Sequence, residues 1–380
     1  MSEKVLMLAT TASMIQQFNM DNLCILQELG YEVEVACNFY VGNTCTDEKI
    51  EELKSDLSRM GIKYYQIDFA RSPVHIRKLR IAYQQVKEIC KENKYKFIHC
   101  HSPIGSVVAR FVGHSCKIPV MYTAHGFHFY KGAPIQNWLL YYPIEKFLSR
   151  WTKTLVTITY EDYKRAQEKF RCQRIEHIHG IGVNLSYYNV DDDTRKKMRD
   201  RYRKELGIKN NEYMLFSVGE LNDNKNHETV LEVLRELNDD KLKYFICGIG
   251  SKREYYEELI TSWGMNDRIM FLGFRDDLKE LYMSADLFIF PSKREGLSVA
   301  LMEGIASKAP TIASDIRGNN ELVVSKDCRF SATDKDEIKH MILDWKEGRL
   351  HPNPDENYEN LDKYSKENVH KDMMRIYSNV

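Results

Sequence analysis

Short apolar stretches alternate with segments of helical periodicity along the whole chain, and this alternation restricts the folds open to it. In the first half, the stretches with the length and composition of strands are residues 4–9, 32–37, 62–67, 96–100, 119–124, 154–159 and 174–179. Helical segments such as 47–60 and 76–93 lie between them. Strands separated by helices predict a parallel sheet covered on both faces, and ligands bind such sheets beyond the C-terminal strand ends.

The same alternation starts again in the second half of the chain. Strand, loop and helix follow one another in residues 213–234, 242–260 and 268–292, and a further strand is predicted at 310–314. A chain of 380 residues is too long for one ordinary domain and suits two. The sequence therefore predicts an α/β protein with two parallel-sheet domains.

The composition favours a cytosolic protein. The nine cysteines form no C-x-x-C pair, which predicts reduced thiols. The N-terminus lacks the layout of a signal peptide, and no apolar stretch reaches the length needed to span a bilayer. The first 190 residues hold 24 basic against 18 acidic side chains. That excess suits an anionic partner such as a membrane surface, lipid phosphate or nucleic acid, and ordinary drift in composition explains it equally well.

Residues 288–310 carry the most specific local pattern in the chain. An apolar run of strand length ends at Pro291, a short polar loop reaches Gly296, and a helical pattern follows. A helix N-terminus presents free backbone N–H groups and a positive dipole end, so this one suits an anion such as phosphate. Glu295 and Glu303 flank it eight positions apart, where both side chains can project toward one ligand. The pattern predicts a ligand with a central diphosphate and hydroxyls at both ends, as in a nucleotide-sugar.

The sequence EGLSVALMEG, residues 295–304, resembles the E-x7-E signature of family-four retaining GT-B glycosyltransferases, and the surrounding loops resemble their capsule and exopolysaccharide branch. The resemblance implies two Rossmann-like parallel-sheet domains that face each other across a cleft. It also implies that Glu295 contacts the donor sugar, that the following amides hold the diphosphate, and that Glu303 binds the ribose. The donor-binding residues assigned on this basis are Gly219, Glu220, Lys225, Phe274, Arg275, Glu295, Gly296, Leu297, Ser298 and Glu303.

Three of these assignments carry a more specific expectation. Lys225 resembles the family lysine that neutralises the donor diphosphate, and Phe274 and Arg275 lie where the family holds the nucleotide base, largely through backbone groups. Glu220 stands where the family usually has arginine. A carboxylate at that position would repel the diphosphate if it pointed inward, so Glu220 either turns away or meets sugar hydroxyls.

The catalytic residues implied by the resemblance are His125, Lys225 and Glu295. His125 follows a predicted strand directly, in a loop that resembles the one whose histidine faces the donor sugar in the capsule and exopolysaccharide enzymes. The alternative is a loop histidine satisfied by the backbone. His99 and His101 share one face of their predicted strand, and a structural role is favoured for them because a metal site would need further ligands.

Hydroxyl side chains mark the first strand–helix turn, residues 9–14, which contains no glycine. The missing glycines argue against a classical NAD or FAD site. Thr11 and Ser13, with Tyr130 further along the chain, are assigned to the acceptor side, where they could meet a phosphate or a sugar. Plain N-capping is the alternative for each of the three hydroxyls of the turn, Thr10, Thr11 and Ser13.

Two segments are candidates for contact with a membrane surface. Residues 137–151 are rich in aromatic side chains and leucine, with basic residues nearby. Packing in the core is favoured for them, and Pro143 is predicted to break the helix. The less apolar candidate is the basic cluster formed by Arg71, Arg77, Lys78 and Arg80.

The resemblance also places the domain boundaries. Residues 179–188 resemble the segment that links the two domains, so an acceptor-side domain is assigned to 1–186 and a donor-binding domain to 187–357. Family enzymes often finish with a helix that crosses back to the first domain. Residues 358–380 fit such a helix, with an apolar stripe made of Val369, Met373, Ile376 and Tyr377.

These features predict a retaining glycosyltransferase that needs neither a metal ion nor another cofactor. No D-x-D motif follows a predicted strand, which is the basis for expecting no metal. The expected donor is a UDP-linked sugar, and the expected acceptor is a polyprenyl-diphosphate-linked saccharide at the cytosolic membrane surface; nucleic acid is not an expected partner. A nucleotide-sugar epimerase of the same architecture and a non-catalytic nucleotide-sugar-binding protein are the alternatives.

Overall fold

The computed structural model describes residues 2–70 and 75–380, which divide into two compact units. Unit 1 joins Met1–Ile181 to Glu367–Val380, and unit 2 is Gly182–Lys366. Each unit is built on one parallel sheet whose strands are connected through helices. The predicted α/β fold with two Rossmann-like domains is therefore confirmed.

The strands of unit 1 are β1 (Lys4–Thr11), β2 (Glu32–Asn38), β3 (Lys63–Gln66), β4 (Tyr95–His101), β5 (Val120–Ala124), β6 (Thr154–Thr157) and β7 (Arg174–His177). Over the described residues they form one parallel sheet in the order β3-β2-β1-β4-β5-β6-β7. Val5 to Ala9 of β1 are fully buried, as expected for a strand covered on both faces. The strand order reverses between β1 and β4, and the C-terminal ends of such a pair form the ligand crevice of an open α/β sheet.

The helices of unit 1 before its last segment are α1 (Ala12–Phe18), α2 (Met20–Glu28), α3 (Asp47–Arg59), α4 (Ile76–Glu92), α5 (Pro103–Cys116), α6 (Ile135–Leu148) and α7 (Tyr160–Lys169), with a 3-10 turn at Ser149–Trp151. The predicted helix break at Pro143 is wrong, because α6 continues through it. Proline removes one N–H, whose helical acceptor would be the carbonyl of Leu139. Leu139 is 73% exposed, so this carbonyl lies on the solvent side of α6.

The prediction of core packing for residues 137–151 is correct for one side of α6 only. Trp138, Tyr141 and Tyr142 pack against the core of unit 1. The apolar side chains of α6 that are at least 40% exposed are Ile135, Leu139, Leu140, Ile144 and Phe147.

Three members of the predicted basic cluster lie on α4. Arg77, Lys78 and Arg80 are exposed there, and Arg71 lies outside the described residues. None of the described helices combines the length and the hydropathy that crossing a bilayer requires.

The strands of unit 2 are β8 (Tyr213–Val218), β9 (Leu242–Cys247), β10 (Ile269–Gly273), β11 (Leu287–Phe290), β12 (Thr311–Ser314) and β13 (Arg329–Phe330). They form a parallel sheet in the order β10-β9-β8-β11-β12-β13, counted over the described residues. The order reverses between β8 and β11. The loops that follow these two strands, residues 219–226 and 291–298, therefore leave the sheet at the same edge.

The helices of unit 2 are α8 (Leu185–Tyr188), α9 (Asp192–Glu205), α10 (His227–Leu237), α11 (Arg253–Ser262), α12 (Leu278–Ser284), α13 (Val299–Ala306), α14 (Asn319–Leu322), α15 (Lys335–Lys346) and α16 (Pro354–Glu359), with 3-10 turns at Lys326–Cys328 and Asp362–Tyr364.

The last helix, α17 (Lys366–Tyr377), contributes to unit 1. It starts later than residue 358, the predicted start, because Asp362–Tyr364 form a separate 3-10 turn before it. The predicted apolar stripe of α17 is buried. At its end the Tyr377 hydroxyl lies 2.8 Å from Nδ1 of His99 in β4, which fixes the helix against the sheet of unit 1.

Candidate active site

The site predicted at residues 288–310 forms where β11 turns toward α13. Pro291, which has no N–H for the sheet, follows the strand, and the Ser298 hydroxyl caps the helix by accepting the N–H of Leu301 at 3.5 Å. Within the described residues, the backbone N–H groups of Leu297 and Ser298 have no hydrogen-bond acceptor. They lie at the positive end of the α13 dipole, so they are suited to an anion.

Lys225 reaches this loop from the turn between β8 and α10. Asn226 adopts a left-handed backbone conformation with φ of 59°, and its Nδ2 donates to the Pro291 carbonyl at 3.1 Å, which ties the two loops together. The stem of Lys225 crosses Gly219, where a Cβ would come within 3.0 Å of it. Lys225 Nζ lies 2.6 Å from Glu295 Oε1, and both side chains are less than a fifth exposed. Two of the predicted catalytic residues therefore form a largely buried ion pair.

Arg317 is a residue of this site that the sequence analysis did not single out. Its Nε and Nη2 both donate to the backbone carbonyl of Glu295, each at 3.3 Å. The next residue, Gly318, lies so close to Gly296 that a Cβ would come within 1.5 Å of the Gly296 carbonyl oxygen. The only local signal for Arg317 is an Arg-Gly pair after a predicted strand. Such a pair predicts a turn, but it does not indicate which other loop that turn will contact. Arg317 and Lys225 thus bring two positive charges to the loop before α13 from other parts of unit 2.

Glu303 lies in the second turn of α13 and is half-buried. Burial raises the pKa of its carboxyl, and a hydrogen bond with the Tyr188 hydroxyl opposes this rise. Tyr188 is a buried residue of α8 that the sequence analysis did not identify. A carboxyl group anchored on one side in this way is suited to hydrogen bonds with hydroxyl groups, the chemistry expected for a ribose contact.

The other predicted donor residues are more exposed. Glu220 is exposed, and its side chain takes part in no hydrogen bond or ion pair of the described residues. Phe274 is 68% exposed. Arg275 donates its Nε to Oδ1 of Asp277 at 2.7 Å and its Nη2 to the other oxygen, so a carboxylate compensates its charge. In the described part of the chain, no hydrogen bond or ion pair joins these three residues to Lys225.

His125, the predicted catalytic residue of unit 1, follows β5 and is half-buried. Its Nε2 lies 3.1 Å from Nδ1 of His101, so a side chain holds it rather than the backbone contact considered as the alternative. Burial lowers the pKa of His125 to about 4. His99 lies beside His101 with ring centres 4.2 Å apart, and its Nε2 is 2.8 Å from the Thr123 hydroxyl. Nowhere in residues 2–70 and 75–380 do three or more His, Cys, Asp or Glu side chains form a group that could hold a metal ion.

The hydroxyl groups assigned to the acceptor side lie after β1. Thr11 Oγ1 is 3.1 Å from Ser13 Oγ, and Ser13 Oγ accepts the backbone N–H of Thr44 at 3.2 Å. N-capping is the wrong alternative for Thr11, because its side chain makes no capping hydrogen bond although it occupies the N-cap position of α1. Thr11 lines a cavity in unit 1, whereas Ser13 and Tyr130 do not.

This cavity has a volume of about 480 Å³ and lies at the C-terminal ends of β1 and β4. Its apolar wall includes Leu79, Ile104, Val107, Leu140, Tyr141 and Ile144. Its polar groups include Ser102 and Glu145, and the carboxylate of Glu145 already accepts Nη1 of the buried Arg110 at 2.7 Å. The free surface of the cavity is therefore mainly apolar.

Two protein families match this chain. The glycosyl transferase 4-like domain matches residues 16–178, and the family described as glycosyl transferases group 1 matches residues 198–368. The two matches fall in the two units in chain order.

Individual proteins agree with these matches. EpsD of Bacillus subtilis (strain 168), to which a glycosyltransferase activity is provisionally assigned, is 35% identical over 85% of this chain and 81% of its own length. An Escherichia coli UDP-Gal:α-D-GlcNAc-diphosphoundecaprenol α-1,3-galactosyltransferase is 27% identical over 62% of each chain. The crystal structure of Anabaena HepE in complex with UDP-glucose is 16% identical with a TM-score of 0.75, and it covers 99% of this chain and all of its own.

Proposed function

The chain belongs to the group 1 glycosyltransferases, and on that premise we propose that it moves a sugar, with retention of anomeric configuration, from a UDP-sugar to a lipid-diphosphate-linked saccharide in bacterial surface polysaccharide synthesis. The observation that carries the proposal is the Lys225–Glu295 ion pair, 2.6 Å long, beside the N–H groups of Leu297 and Ser298. A cation from one loop meets a carboxylate and a helix N-terminus on the next, as a diphosphate attached to a sugar would require. The choice of UDP and of a lipid diphosphate follows the substrate names of the E. coli relative.

The reaction places negative charge on the phosphate oxygen that leaves the sugar. We assign its stabilisation to Lys225 and to the N–H groups of Leu297 and Ser298. A bound diphosphate would compete with Glu295 for the ammonium group of Lys225 and would release the Glu295 carboxylate to the sugar hydroxyls. In a front-face retaining reaction the leaving phosphate takes the acceptor proton, so no separate general base is required. His125 is proposed to contact the transferred sugar.

We also assign to Arg317 the charge that the family usually supplies at the position of Glu220. The guanidinium of Arg317 lies 3.3 Å from the Glu295 carbonyl, on the loop that holds the proposed diphosphate site. Glu220 is exposed and is not paired with Lys225 in the described residues. With Lys225 and Arg317 together, the protein itself offers two positive charges to the diphosphate, which supports a reaction that needs no metal ion.

Replacing Arg317 with methionine is expected to weaken UDP binding by about tenfold, the lower end of the range for a hydrogen bond to a charged group. The matched control is Arg294→Met, because Arg294 is an exposed arginine in the neighbouring loop. Titration calorimetry with UDP measures both dissociation constants. If the dissociation constant rose equally in the two variants, or did not change in Arg317→Met, Arg317 would not contribute to the diphosphate site.

The acceptor is assigned to the apolar cavity of unit 1. This cavity opens beside Leu140 and Ile144 on α6, which are 50% and 40% exposed, and α4 carries exposed Arg77 and Lys78. Apolar side chains near basic ones suit contact with an anionic membrane surface, where a lipid-linked acceptor resides. We therefore propose that this surface of unit 1 lies on the cytosolic face of the membrane.

The test of the function is turnover of a panel of nucleotide-sugars, each incubated with and without a polyprenyl-diphosphate-linked saccharide. We expect a UDP-sugar to be consumed only with the acceptor, at an unchanged rate in EDTA, and NMR of the product to show the anomeric configuration of the donor. An epimerised sugar formed without acceptor would instead support the epimerase. Binding without any turnover would support the non-catalytic alternative.

A further inference from the structure

A chain of three side chains in unit 1 connects the core of its sheet to His125. Met7 lies in β1 and is fully buried, and its Sδ is 3.2 Å from Nε2 of His101 in β4. The other nitrogen of His101, Nδ1, is 3.1 Å from Nε2 of His125. Nδ1 of His125 makes no hydrogen bond with any described residue, and the side chain is half-buried rather than fully buried.

Burial favours the neutral form of both His101 and His125. Burial lowers the pKa of His125 to about 4. Burial, together with the neighbouring His99 and His125, lowers the pKa of His101 well below its ordinary value. A neutral imidazole carries one proton, so one of its nitrogens donates a hydrogen bond and the other accepts one.

The thioether of Met7 decides where these protons lie. A thioether sulfur has no hydrogen to donate and can only accept, so the contact with Met7 requires the proton of His101 to be on Nε2. Nδ1 of His101 then carries a lone pair and must accept from its partner, which places the proton of His125 on Nε2. The remaining nitrogen of His125, Nδ1, is left with a lone pair.

We propose that Met7 and His101 are positioning residues that hold His125 as the Nε2–H tautomer, so that its Nδ1 accepts a hydrogen bond from a hydroxyl of the transferred sugar. The proposal depends on the proposed function only in taking the transferred sugar as the ligand of His125. The tautomer itself follows from contacts within unit 1. The geometry makes His125 selective for a group that donates a hydrogen bond over one that can only accept.

Two-bond ¹H–¹⁵N spectra of protein labelled in its histidines test the tautomer without substrate. The signals of His125 are assigned by their loss in His125→Asn. We expect a single Nε2–H form in the wild type and a mixture of tautomers in Met7→Leu, which keeps an apolar side chain of similar size but removes the sulfur. The control is Met121→Leu, the same change at a fully buried methionine of β5.

The kinetic counterpart is a fall in kcat/KM of about two- to tenfold in Met7→Leu, the range for one misplaced neutral hydrogen bond, with no change in Met121→Leu. A wild-type His125 protonated on Nδ1 overturns the proposal. So does a Met7→Leu variant that loses activity while His125 stays in the Nε2–H form, because Met7 would then act through packing alone. Failure of every nucleotide-sugar to react would reject the proposed function. The tautomer of His125 would still be tested, because the spectra are recorded without substrate.

Discussion

Replacing Lys225 with alanine is expected to lower kcat by about a hundred- to a thousandfold, the loss typical when one preorganised donor to a developing negative charge is removed. Lys225 Nζ is held 2.6 Å from Glu295, and its side chain is only 19% exposed, so it is a fixed rather than a mobile cation. The variant also leaves the Glu295 carboxylate unpaired, where it would repel an incoming diphosphate. Steady-state kinetics with the preferred UDP-sugar measure the change.

The control for this variant is Lys293→Ala, which removes an exposed lysine from the loop that carries Glu295. It is expected to keep at least half of the wild-type kcat, and both variants are expected to unfold cooperatively. If Lys293→Ala lost as much activity as Lys225→Ala, the effect would be one of overall charge. If Lys225→Ala retained its activity, the diphosphate site would lie elsewhere.

Replacing Gly318 with alanine is expected to abolish UDP binding and to lower the free energy of unfolding by about 2–5 kcal/mol, the sum of left-handed backbone strain and overpacking. The new Cβ would lie 1.5 Å from the carbonyl oxygen of Gly296, and φ of Gly318 is +83°. Backbone atoms cannot rotate away as a flexible side chain can. The loop that presents Leu297 and Ser298 must therefore move.

The matched control is Gly264→Ala in the same unit. Gly264 has a similar φ of +67°, but a Cβ there would meet no atom within 4 Å. The Gly264→Ala variant therefore isolates the backbone strain. We expect its free energy of unfolding to fall by about 1–2 kcal/mol and its affinity for UDP to stay unchanged. Urea unfolding and calorimetry on both variants separate the two contributions. Equal losses in the two variants would show that the contact between Gly318 and Gly296 does not hold the loop.

Much of the fold could be predicted from the sequence because local patterns determine it. The strands of unit 1 appear where short apolar runs predict them, since a parallel sheet covered on both faces needs such runs. The ion pair between Lys225 and Glu295 joins two loops whose strands, β8 and β11, are neighbours in the sheet. Loops at the C-terminal ends of adjacent parallel strands meet, so the pairing follows from strand order.

Features that depend on contacts distant in the chain could not be predicted. Arg317 reaches the site because Gly318 lies against Gly296, and an Arg-Gly pair does not indicate which backbone it will touch. The hydrogen bond between Tyr188 and Glu303 depends on the packing of α8 against α13, two helices that are far apart in the sequence. Pro143 was expected to end a helix, yet α6 continues through it where its neighbours are exposed to solvent.

We propose that the start of α13 holds the diphosphate of the donor. The most direct measurement is a crystal structure of the protein with bound UDP. We expect phosphate oxygens within hydrogen-bond distance of the N–H groups of Leu297 and Ser298 and of Lys225 Nζ, with the ribose hydroxyls on Glu303. A diphosphate bound at another site, such as the turn after β1 in unit 1, would contradict it.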